Sequence, residues 1–349
     1  MGTLGAARIT PKALIDPARA VPEVTVTAVA ARDPQRARAF AAKHGIARVH
    51  DSYEALIADP EVDAIYNPLP NSLHAPWTLR AIAAGKHVLC EKPFTSNEAE
   101  ATAVAQAARA SGLVVMEAFH NRYHPLARRM REVVAGELGA LRHVEAAMCF
   151  PLPNFSDIRY QFDLAGGATM DAGCYAINCI RMLGPGEPTV VSARATRHGP
   201  LIDRAMVADF RFGGGEGGGG TDRGVTGRIR TSLWSAQILR IGARAVGANG
   251  EMRVINYLAP QVFNLLTVKA GGRTRRERVP GEPSYTGQLR AFAAAVLRGG
   301  PVLTTPEDAV ANMHQIDEVY RAAGLPLRGT RPAPGPAPGP ASGPAPRPA

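Results

Sequence analysis

Three side chains of the sequence could together move a proton to or from an alcohol or ketone: Lys92, Asp171 and Tyr175. Lys92 follows the apolar run 88–90 and precedes Pro93. This pattern predicts a lysine at the carboxyl end of a buried parallel strand, where open α/β sheets bind their ligands. Asp171 and Tyr175 are four residues apart, so they share one face of a predicted helix that follows Gly166 and Gly167.

Acid–base chemistry is the expected use of these three groups. A free tyrosine has a pKa of about 10, and a neighbouring ammonium lowers it. We therefore expect Lys92 to favour the phenolate of Tyr175, which would make Tyr175 a proton acceptor or donor for an alcohol or carbonyl. Taken singly, Lys92 could be a solvated charge and Tyr175 a packed core aromatic. Their combination with Asp171 favours the chemical interpretation.

The first residues contain part of a dinucleotide-binding pattern. Residues 1–4 predict a short first strand, and Gly5 predicts the tight turn after it. The small residues Ala6 and Ala7 would let backbone N–H groups approach a pyrophosphate. Only one glycine of the three in G-x-G-x-x-G is present. A central strand usually has about five residues, so this strand either begins upstream of Met1 or is short.

The second strand is predicted over Val24–Ala30. In dinucleotide-binding folds an acidic residue near the end of this strand binds the ribose 2′-hydroxyl, whereas an arginine accommodates a 2′-phosphate. Arg32 stands near the place of the acid, so the sequence favours NADP, with NAD as the alternative.

Strands and helices alternate over the first 120 residues, which predicts right-handed βαβ units and a parallel sheet. Asn71 is expected to cap the helix over 76–84, and Gly85 to end it. The other predicted elements are helices over 34–44 and 97–111, a short helix ending at Ile57, and strands over 62–66 and 113–117.

The second half of the chain predicts short, mostly antiparallel strands. They are expected near 141–147, 190–197, 206–212, 225–234, 238–241, 251–257 and 262–269, with helices over 286–298 and 306–323. The stretch Gly213–Gly220 predicts a flexible hairpin loop. From Arg331 the Pro-Ala-Gly composition predicts a disordered tail. The expected organisation is a nucleotide-binding domain over 1–120, an α+β domain over 121–330 and the tail over 331–349.

Composition narrows the functional classes. The formal charge of +10 could favour nucleic acid, but the arginines are scattered and the densest cluster, 273–278, is predicted to be a hairpin turn, so we expect no nucleic-acid partner. No apolar run reaches the roughly 18–20 residues of a membrane span, and no secretory signal is visible. The four cysteines show neither a zinc-binding nor a redox spacing. We expect no metal site and a cytoplasmic protein with reduced thiols.

Several motifs together resemble the glucose–fructose oxidoreductase / inositol dehydrogenase family, Gfo/Idh/MocA, over roughly residues 2–325. They are the stretches 68–74 (PLPNSLH), 85–93 (GKHVLCEKP), 117–119 (EAF) and the G-G-x-x-x-D-x-G-x-Y run over 166–175. Many family members have histidine in place of Tyr175. The tyrosine is similar to the branch that contains dimeric dihydrodiol dehydrogenase and NADP-dependent xylose dehydrogenases.

This resemblance implies an α/β fold: an N-terminal Rossmann fold and a C-terminal α+β domain on a large, mostly antiparallel open sheet. It implies that Lys92, Asp171 and Tyr175 are catalytic and that His120 lines the substrate pocket. It also implies a homo-oligomer, dimer or tetramer, assembled through the C-terminal sheet. The residues expected to bind NAD(P) are Gly5, Ala6, Ala7, Arg8, Ile9, Ala31, Arg32, Pro68, Leu69, Asn71, His74, Glu91 and Lys92.

The predicted function is an NADP-dependent oxidoreductase that transfers a hydride between nicotinamide and a hydroxyl or carbonyl carbon of a sugar, cyclic polyol or dihydrodiol. Two alternatives stay open at this point. One is a regulatory protein that binds nucleotide without turnover, and the other is an enzyme that uses tightly held NAD(P) for sugar hydrolysis or sugar–sugar redox exchange.

Overall fold

A computed structural model describes residues 1–213 and 224–330. The glycine-rich loop predicted over Gly213–Gly220 lies, from residue 214 on, outside the described residues, as does the tail predicted from Arg331. Within the described part of the chain the strands form two sheets, one from each half of the sequence.

The first sheet is parallel throughout and has the strand order β3-β2-β1-β4-β5-β6. Its strands are short, and all except the edge strand β3 are largely buried: β1 (Gly2–Leu4), β2 (Ala28–Ala30), β3 (Arg48–His50), β4 (Ala64–Asn67), β5 (His87–Cys90) and β6 (Val115–Glu117). β1 has three residues yet pairs with both β2 and β4, so the brief first strand does occupy the centre of the sheet. The predicted β2 was too long, because residues 24–27 precede the paired segment.

The second sheet is antiparallel except where β10 pairs with β7, and its order is β14-β13-β12-β11-β7-β10-β9-β8. Its strands are β7 (Leu141–Cys149), β8 (Pro188–His198), β9 (Ile202–Phe212), β10 (Thr226–Ser232), β11 (Arg240–Gly247), β12 (Gly250–Ile255), β13 (Leu265–Ala270) and β14 (Arg273–Glu277). The expected Rossmann fold and the expected large, mostly antiparallel sheet are both confirmed.

Helices connect and cover the strands. They are α1 (Asp16–Ala18), which continues a π-helical turn over Pro11–Ile15, α2 (Pro34–His44), α3 (Tyr53–Ala58), α4 (His74–Ala83), α5 (Glu98–Ser111), α6 (Pro125–Gly136), α7 (Cys174–Leu183), α8 (Ser284–Arg298) and α9 (Pro306–Ala322). Among the described residues no helix is long and apolar enough to span a membrane.

Three local predictions were wrong. Residues 273–277 form the edge strand β14 and not a turn, because a solvent-facing edge tolerates a run of arginines. The strand predicted at 238–241 begins later and extends to Gly247. Asn71 does not cap α4, because its side-chain amide donates to the carbonyl of Ala165 at 3.0 Å, which ties the first half of the chain to the second. Helix α6 was not predicted; it begins at Pro125, and the His124 ring caps it by accepting the N–H of Leu126.

Late helices return to the first half of the fold. Helix α8 packs Leu289 and Phe292 into an apolar cluster with Leu14, Tyr66 and Leu89 of the first sheet and its first helix. Helix α9 packs between α5 and β8, and α7 lies on β7 and β10. The first half therefore depends on residues near the end of the chain for part of its core.

Candidate active site

A cleft of about 800 Å³ lies between the carboxyl edge of the first sheet and the end of β7. Residues from both halves of the chain line it. The structure brings into this one cleft all three predicted catalytic residues and every residue predicted to bind the cofactor: Gly5, Ala6, Ala7, Arg8, Ile9, Ala31, Arg32, Pro68, Leu69, Asn71, His74, Glu91, Lys92, Asp171 and Tyr175.

One end of the cleft is formed by the turn after β1. Gly5 has a φ of +83°, a backbone conformation that L side chains rarely adopt, and a Cβ there would lie 3.3 Å from the Leu69 side chain. Its N–H donates to the carbonyl of Ala30, which fixes the turn against β2. The turn therefore leaves its backbone open to the cleft, and these residues fit a dinucleotide whose pyrophosphate lies against them.

Arginines surround the neighbouring wall. Arg8, Arg32 and Arg36 all line the cleft. The nearby carboxylate, Asp33, caps α2 by accepting the N–H groups of Gln35 at 2.8 Å and Arg36 at 3.2 Å. Because Asp33 is engaged as a cap, this end of the cleft is dominated by positive charge, which suits a 2′-phosphate better than a ribose hydroxyl.

Arg36 was not predicted from the sequence. Its guanidinium Nη2 donates to the carbonyl of Ala6 at 2.8 Å, so it links the start of α2 to the turn after β1. No helical spacing links it to Arg32, because Arg32 precedes the N-cap residue Asp33 and lies outside α2.

At the opposite end of the cleft, Lys92 and Arg159 hold the carboxylate of Asp171 between them. Lys92 Nζ lies 3.2 Å from Asp171 Oδ1, and Arg159 Nε lies 3.0 Å from Asp171 Oδ2. Arg159 also pairs with Asp157 at 3.1 Å. Arg159 was missed at the sequence level, because it lies in the irregular segment between β7 and α7, where no periodic pattern identifies its neighbours.

The ion pairs decide the charge states at this end. Burial works to raise the pKa of Asp171, but Lys92 and Arg159 outweigh it and the pKa is held below its usual value. Burial alone would lower the pKa of Lys92, yet the carboxylate of Asp171 leaves that pKa raised. Glu91, which accepts the Tyr66 hydroxyl at 2.7 Å, has its pKa raised by burial. An anionic Asp171 beside a cationic Lys92 is thus the resting state.

Tyr175 lines the cleft, but its protonation state differs from our expectation. The ammonium of Lys92 faces the ring, 5.0 Å from its centroid, and makes a cation–π contact. Burial, with further contributions from Tyr285 and Glu91, raises the pKa of Tyr175 well above its ordinary value. The prediction that Lys92 favours the phenolate was therefore wrong for the free protein, in which Tyr175 is a neutral phenol.

His120 does not line the cleft, contrary to the prediction. It is 3% exposed, its ring is stacked on Tyr285 with the centroids 3.9 Å apart, and its Nδ1 lies 2.7 Å from Ser284 Oγ. Burial lowers the pKa of His120 to about 3, so the ring is neutral. Tyr285, on α8, is the residue that faces the cleft, and His120 supports it from behind.

His74 joins two of the loops that line the cleft. One ring nitrogen lies 2.7 Å from the carbonyl of Pro93 and the other 2.7 Å from the carbonyl of Leu69. Burial lowers the pKa of His74 to about 4, so the ring is neutral and donates to one of these carbonyls. The structure therefore places His74 as a link between the loop after β4 and the Lys92–Pro93 segment, with little surface left for a ligand.

Comparison with known proteins agrees with this architecture. Residues 1–119 match the family model of the Gfo/Idh/MocA oxidoreductases with an NAD-binding Rossmann fold, and residues 127–253 match a model of the Gfo/Idh/MocA C-terminal domain. The chain is 37% identical over 324 residues to D-xylose 1-dehydrogenase (NADP(+)) 2 from Haloferax volcanii, an alignment that covers 92% of this chain and 96% of that one.

Two further relatives extend the comparison. Trans-1,2-dihydrobenzene-1,2-diol dehydrogenase from Mus musculus is 37% identical over 198 residues, which covers 55% of this chain and 58% of that one. A 3-ketoreductase from Actinomadura kijaniata, solved with NADP and TDP-benzene, superposes with a TM-score of 0.82 at 29% identity, covering 92% of this chain and 96% of that one. Both domain models match and the similarity runs through nearly the whole chain, so the protein belongs to the Gfo/Idh/MocA oxidoreductase family.

Proposed function

We propose that this protein is an NADP-dependent oxidoreductase that transfers a hydride between nicotinamide and a hydroxyl or carbonyl carbon of a sugar, cyclic polyol or dihydrodiol. The observation that carries the proposal is the arrangement of one cleft. A glycine turn and three arginines lie at one end, and Lys92, Asp171 and Tyr175 lie at the other. A dinucleotide that has its 2′-phosphate at the arginines would direct its reactive ring toward the second group.

NADP, when bound, supplies or accepts a hydride at its nicotinamide ring. The residues of this chain would supply the proton and the orientation. In the reducing direction the Tyr175 phenol donates its proton to the carbonyl oxygen that becomes the alcohol. Lys92 hydrogen-bonds the same oxygen and stabilises the negative charge that develops there. Asp171 holds Lys92 in place and keeps it charged. In the oxidising direction the phenol of Tyr175 first releases its proton to solvent, and the resulting phenolate then accepts the proton of the alcohol.

The preference for NADP over NAD rests on Arg32 and Arg36. A guanidinium can bind a phosphate through two parallel N–H donors, a geometry that gives both affinity and specificity. NAD, which lacks the 2′-phosphate, would bind in the same place with less affinity.

The substrate class follows from the relatives and from the cleft wall. The named relatives act on xylose, on a dihydrodiol or as a 3-ketoreductase. In this chain polar residues of the segment between β7 and α7, Asn154 and Ser156 among them, line the cleft together with Phe150 and Leu258. Such a mixture suits a polyhydroxylated ring, which has hydroxyl edges and apolar C–H faces.

A homo-oligomer, dimer or tetramer, is proposed to form through the C-terminal sheet. Large apolar side chains are exposed at one end of this sheet, around the connections between β10 and β11 and between β12 and β13: Trp234, Ile238, Leu239, Ile255, Val262 and Phe263. Groups of exposed apolar residues are typical of protein–protein interfaces, which supports self-association through this end of the sheet. A cytoplasmic location is supported by the four cysteines, all of which are unpaired and buried.

The alternatives differ in what happens to the nucleotide. An enzyme of sugar–sugar exchange or hydrolysis would retain NAD(P) through desalting and would show no net change in NADPH absorbance. A regulatory protein would bind NADP and turn over nothing. The deciding experiment measures NADPH absorbance at 340 nm for a panel of aldoses, inositols and dihydrodiols with NADP or NAD, using desalted protein. Steady reduction of NADP by one class of substrate supports the proposal, and retention of nucleotide without net reduction contradicts it.

A further inference from the structure

A buried ion pair lies behind the π-helical turn Thr169–Gly173, which carries Asp171 and continues into α7 with Tyr175. Arg328 Nη2 is 2.9 Å from Asp203 Oδ1, and neither side chain has any exposed surface. Asp203 belongs to β9, and Arg328 follows α9 near the end of the described chain. Replacing a buried ion pair by apolar residues of similar volume is often neutral or stabilising, so such a pair is weak evidence for a role in stability alone.

Asp203 and Arg328 form hydrogen bonds to the turn that precedes α7. Arg328 Nε donates to the carbonyl of Gly166 at 2.5 Å. Asp203 Oδ2 accepts the N–H of Thr169 at 2.7 Å and its hydroxyl at 2.6 Å. The Tyr320 hydroxyl donates to Asp203 Oδ1 at 3.1 Å. Asp203, Tyr320 and Arg328, which we call the clamp, therefore fix both sides of this turn.

The turn has no room to shift within the clamp. Gly167 has a φ of +136°, and a Cβ there would lie 2.3 Å from Asp203 Oδ1 and 2.7 Å from the Tyr320 hydroxyl oxygen. A Cβ on Gly166 would lie 2.7 Å from the carbonyl oxygen of Arg159. Both glycines are therefore required by the close approach of the clamp and of the neighbouring backbone.

The same turn positions both residues of the Arg159–Asp171 ion pair in the cleft. The carbonyl of Gly167 accepts the N–H of Asp171 at 3.0 Å, and the N–H of Gly167 donates to the carbonyl of Arg159 at 2.8 Å. The backbones of Asp171 and Arg159 are thus both hydrogen-bonded to Gly167, and Arg159 Nε lies 3.0 Å from Asp171 Oδ2. A displacement of Gly167 moves both of them relative to Lys92.

We propose that Asp203, Tyr320 and Arg328 are positioning residues of the active site, which hold the Gly166–Gly167 turn so that Asp171 reaches Lys92. The inference rests on the proposed function, because it assigns a role to residues that touch neither substrate nor cofactor. It predicts that the clamp controls the chemical step and the charge state of Lys92 and leaves the binding of NADP intact.

The test uses graded variants of the full chain. Arg328→Lys keeps the charge but loses the planar guanidinium that reaches Gly166, and Tyr320→Phe removes a single hydrogen bond. The double variant Asp203→Asn/Arg328→Met removes both charges together, so that neither remains buried alone and the fold is retained. Arg321→Met is the matched control, because Arg321 is the neighbour of Tyr320 on α9 and, among the residues that the structure describes, its only ion pair is with Glu318 at the surface.

Two readouts separate positioning from folding. The first is kcat with the best sugar, beside the NADP dissociation constant. The second is the pKa of Lys92 from the NMR signals of lysines methylated with ¹³C, a modification that keeps the charge. The chain has the five lysines Lys12, Lys43, Lys86, Lys92 and Lys269, so Lys92→Arg identifies the signal.

We expect Arg328→Lys and the double variant to lower kcat about 10- to 100-fold, as displacements of about 1 Å do, with unchanged NADP affinity. We also expect a lower Lys92 pKa, because the carboxylate of Asp171 leaves its place. Tyr320→Phe should show the same changes to a smaller degree. Folded variants with unchanged kcat and unchanged Lys92 pKa would overturn the inference, as would parallel losses of kcat and NADP affinity at an unchanged Lys92 pKa. If the wild type oxidises or reduces none of the sugars, the proposed function fails, while the Lys92 pKa still decides the role of the clamp.

Discussion

Tyr175 is the residue whose chemistry the structure defines most sharply, because burial keeps it a neutral phenol. We predict that Tyr175→Phe lowers turnover roughly 10²- to 10⁴-fold, the usual worth of a general acid, while NADP affinity is retained. Lys92→Met should have a similar effect. The double variant should lose little more than either single one, because groups that act together are not additive. The measurements are kcat and NADP binding by fluorescence; a Tyr175→Phe protein with most of its activity would assign the acid to another group.

The direction of the Tyr175 pKa shift predicts a pH dependence of turnover that can be measured. Carbonyl reduction needs the protonated phenol, which persists at every pH below its raised pKa. We therefore predict that kcat for reduction shows no alkaline decline from Tyr175 up to about pH 10, the ordinary tyrosine pKa. A decline centred well below pH 10 that disappears in Tyr175→Phe would show that the phenol ionises early.

Arg159 should set the acid limit of activity. Asp171 must be ionised to hold Lys92, and its pKa lies below the ordinary value because Lys92 and Arg159 outweigh burial. Activity is then retained as the pH falls until it approaches this depressed pKa, below the ordinary value of about 3.9. Arg159→Gln removes one of the two cations, so the pKa of Asp171 rises and kcat/KM should decline at a higher pH. Arg159→Lys keeps a cation and is the control; the same acid limb in all three proteins would contradict this role.

At the scale of the element, Arg32, which lies just before α2, and Arg36, in its first turn, both line the cleft. We predict that Arg32→Ala and Arg36→Ala each weaken NADP by about 1.5–3 kcal/mol, the worth of a hydrogen bond to a charged group, and weaken NAD much less. Arg38→Ala is the matched control, because Arg38 is exposed on the same helix but does not line the cleft. Titration with both nucleotides provides the measurement. Equal losses for NADP and NAD in Arg32→Ala would show that the arginine does not recognise the 2′-phosphate.

Elements with continuous apolar runs were predictable from the sequence, whereas strand β14 and helix α6 were not. The parallel strands around Lys92 carry continuous apolar runs bounded by glycine and proline, so periodicity alone located them. Strand β14 carries charges at an edge and has no apolar alternation, so the same reasoning gave a turn. Helix α6 has Pro125 at its first position and buried Leu126, Met130 and Val133, a pattern that was present but not recognised.

The predictable part of the site has the same limit. Lys92, Asp171 and Tyr175 stand in recognisable motifs, whereas Arg159 reaches Asp171 only because the chain folds back at Gly167. His120 was misplaced because the sequence did not indicate that Tyr285, from a helix about 160 residues later, would stack in front of it. Local sequence patterns do not predict contacts between residues that are distant in the sequence and come together only in the tertiary fold.

For the whole molecule we predict that self-association depends on the apolar end of the second sheet. Ile238 is 63% exposed, and a side chain of this size contributes about 1.5–3 kcal/mol when it is fully buried. Ile238→Asp should therefore shift the protein toward the monomer in sedimentation experiments. Leu297→Asp is the control, because Leu297 is 58% exposed on α8, outside this sheet. An unchanged sedimentation coefficient in Ile238→Asp would place the interface elsewhere.

The packing of helix α8 limits how this protein can be recombined with its relatives, in evolution or by engineering. Because Leu289 and Phe292 complete the core around Leu14 and Leu89, the nucleotide-binding half is not a self-contained cassette. Cutting the chain after the first sheet, or joining that sheet to another catalytic half, would remove α8 and expose the apolar residues that it covers, among them Leu14 and Leu89. Recombination between relatives of this protein should therefore succeed where the exchanged pieces carry α8 along with the first sheet, although more than 160 residues separate them in the sequence.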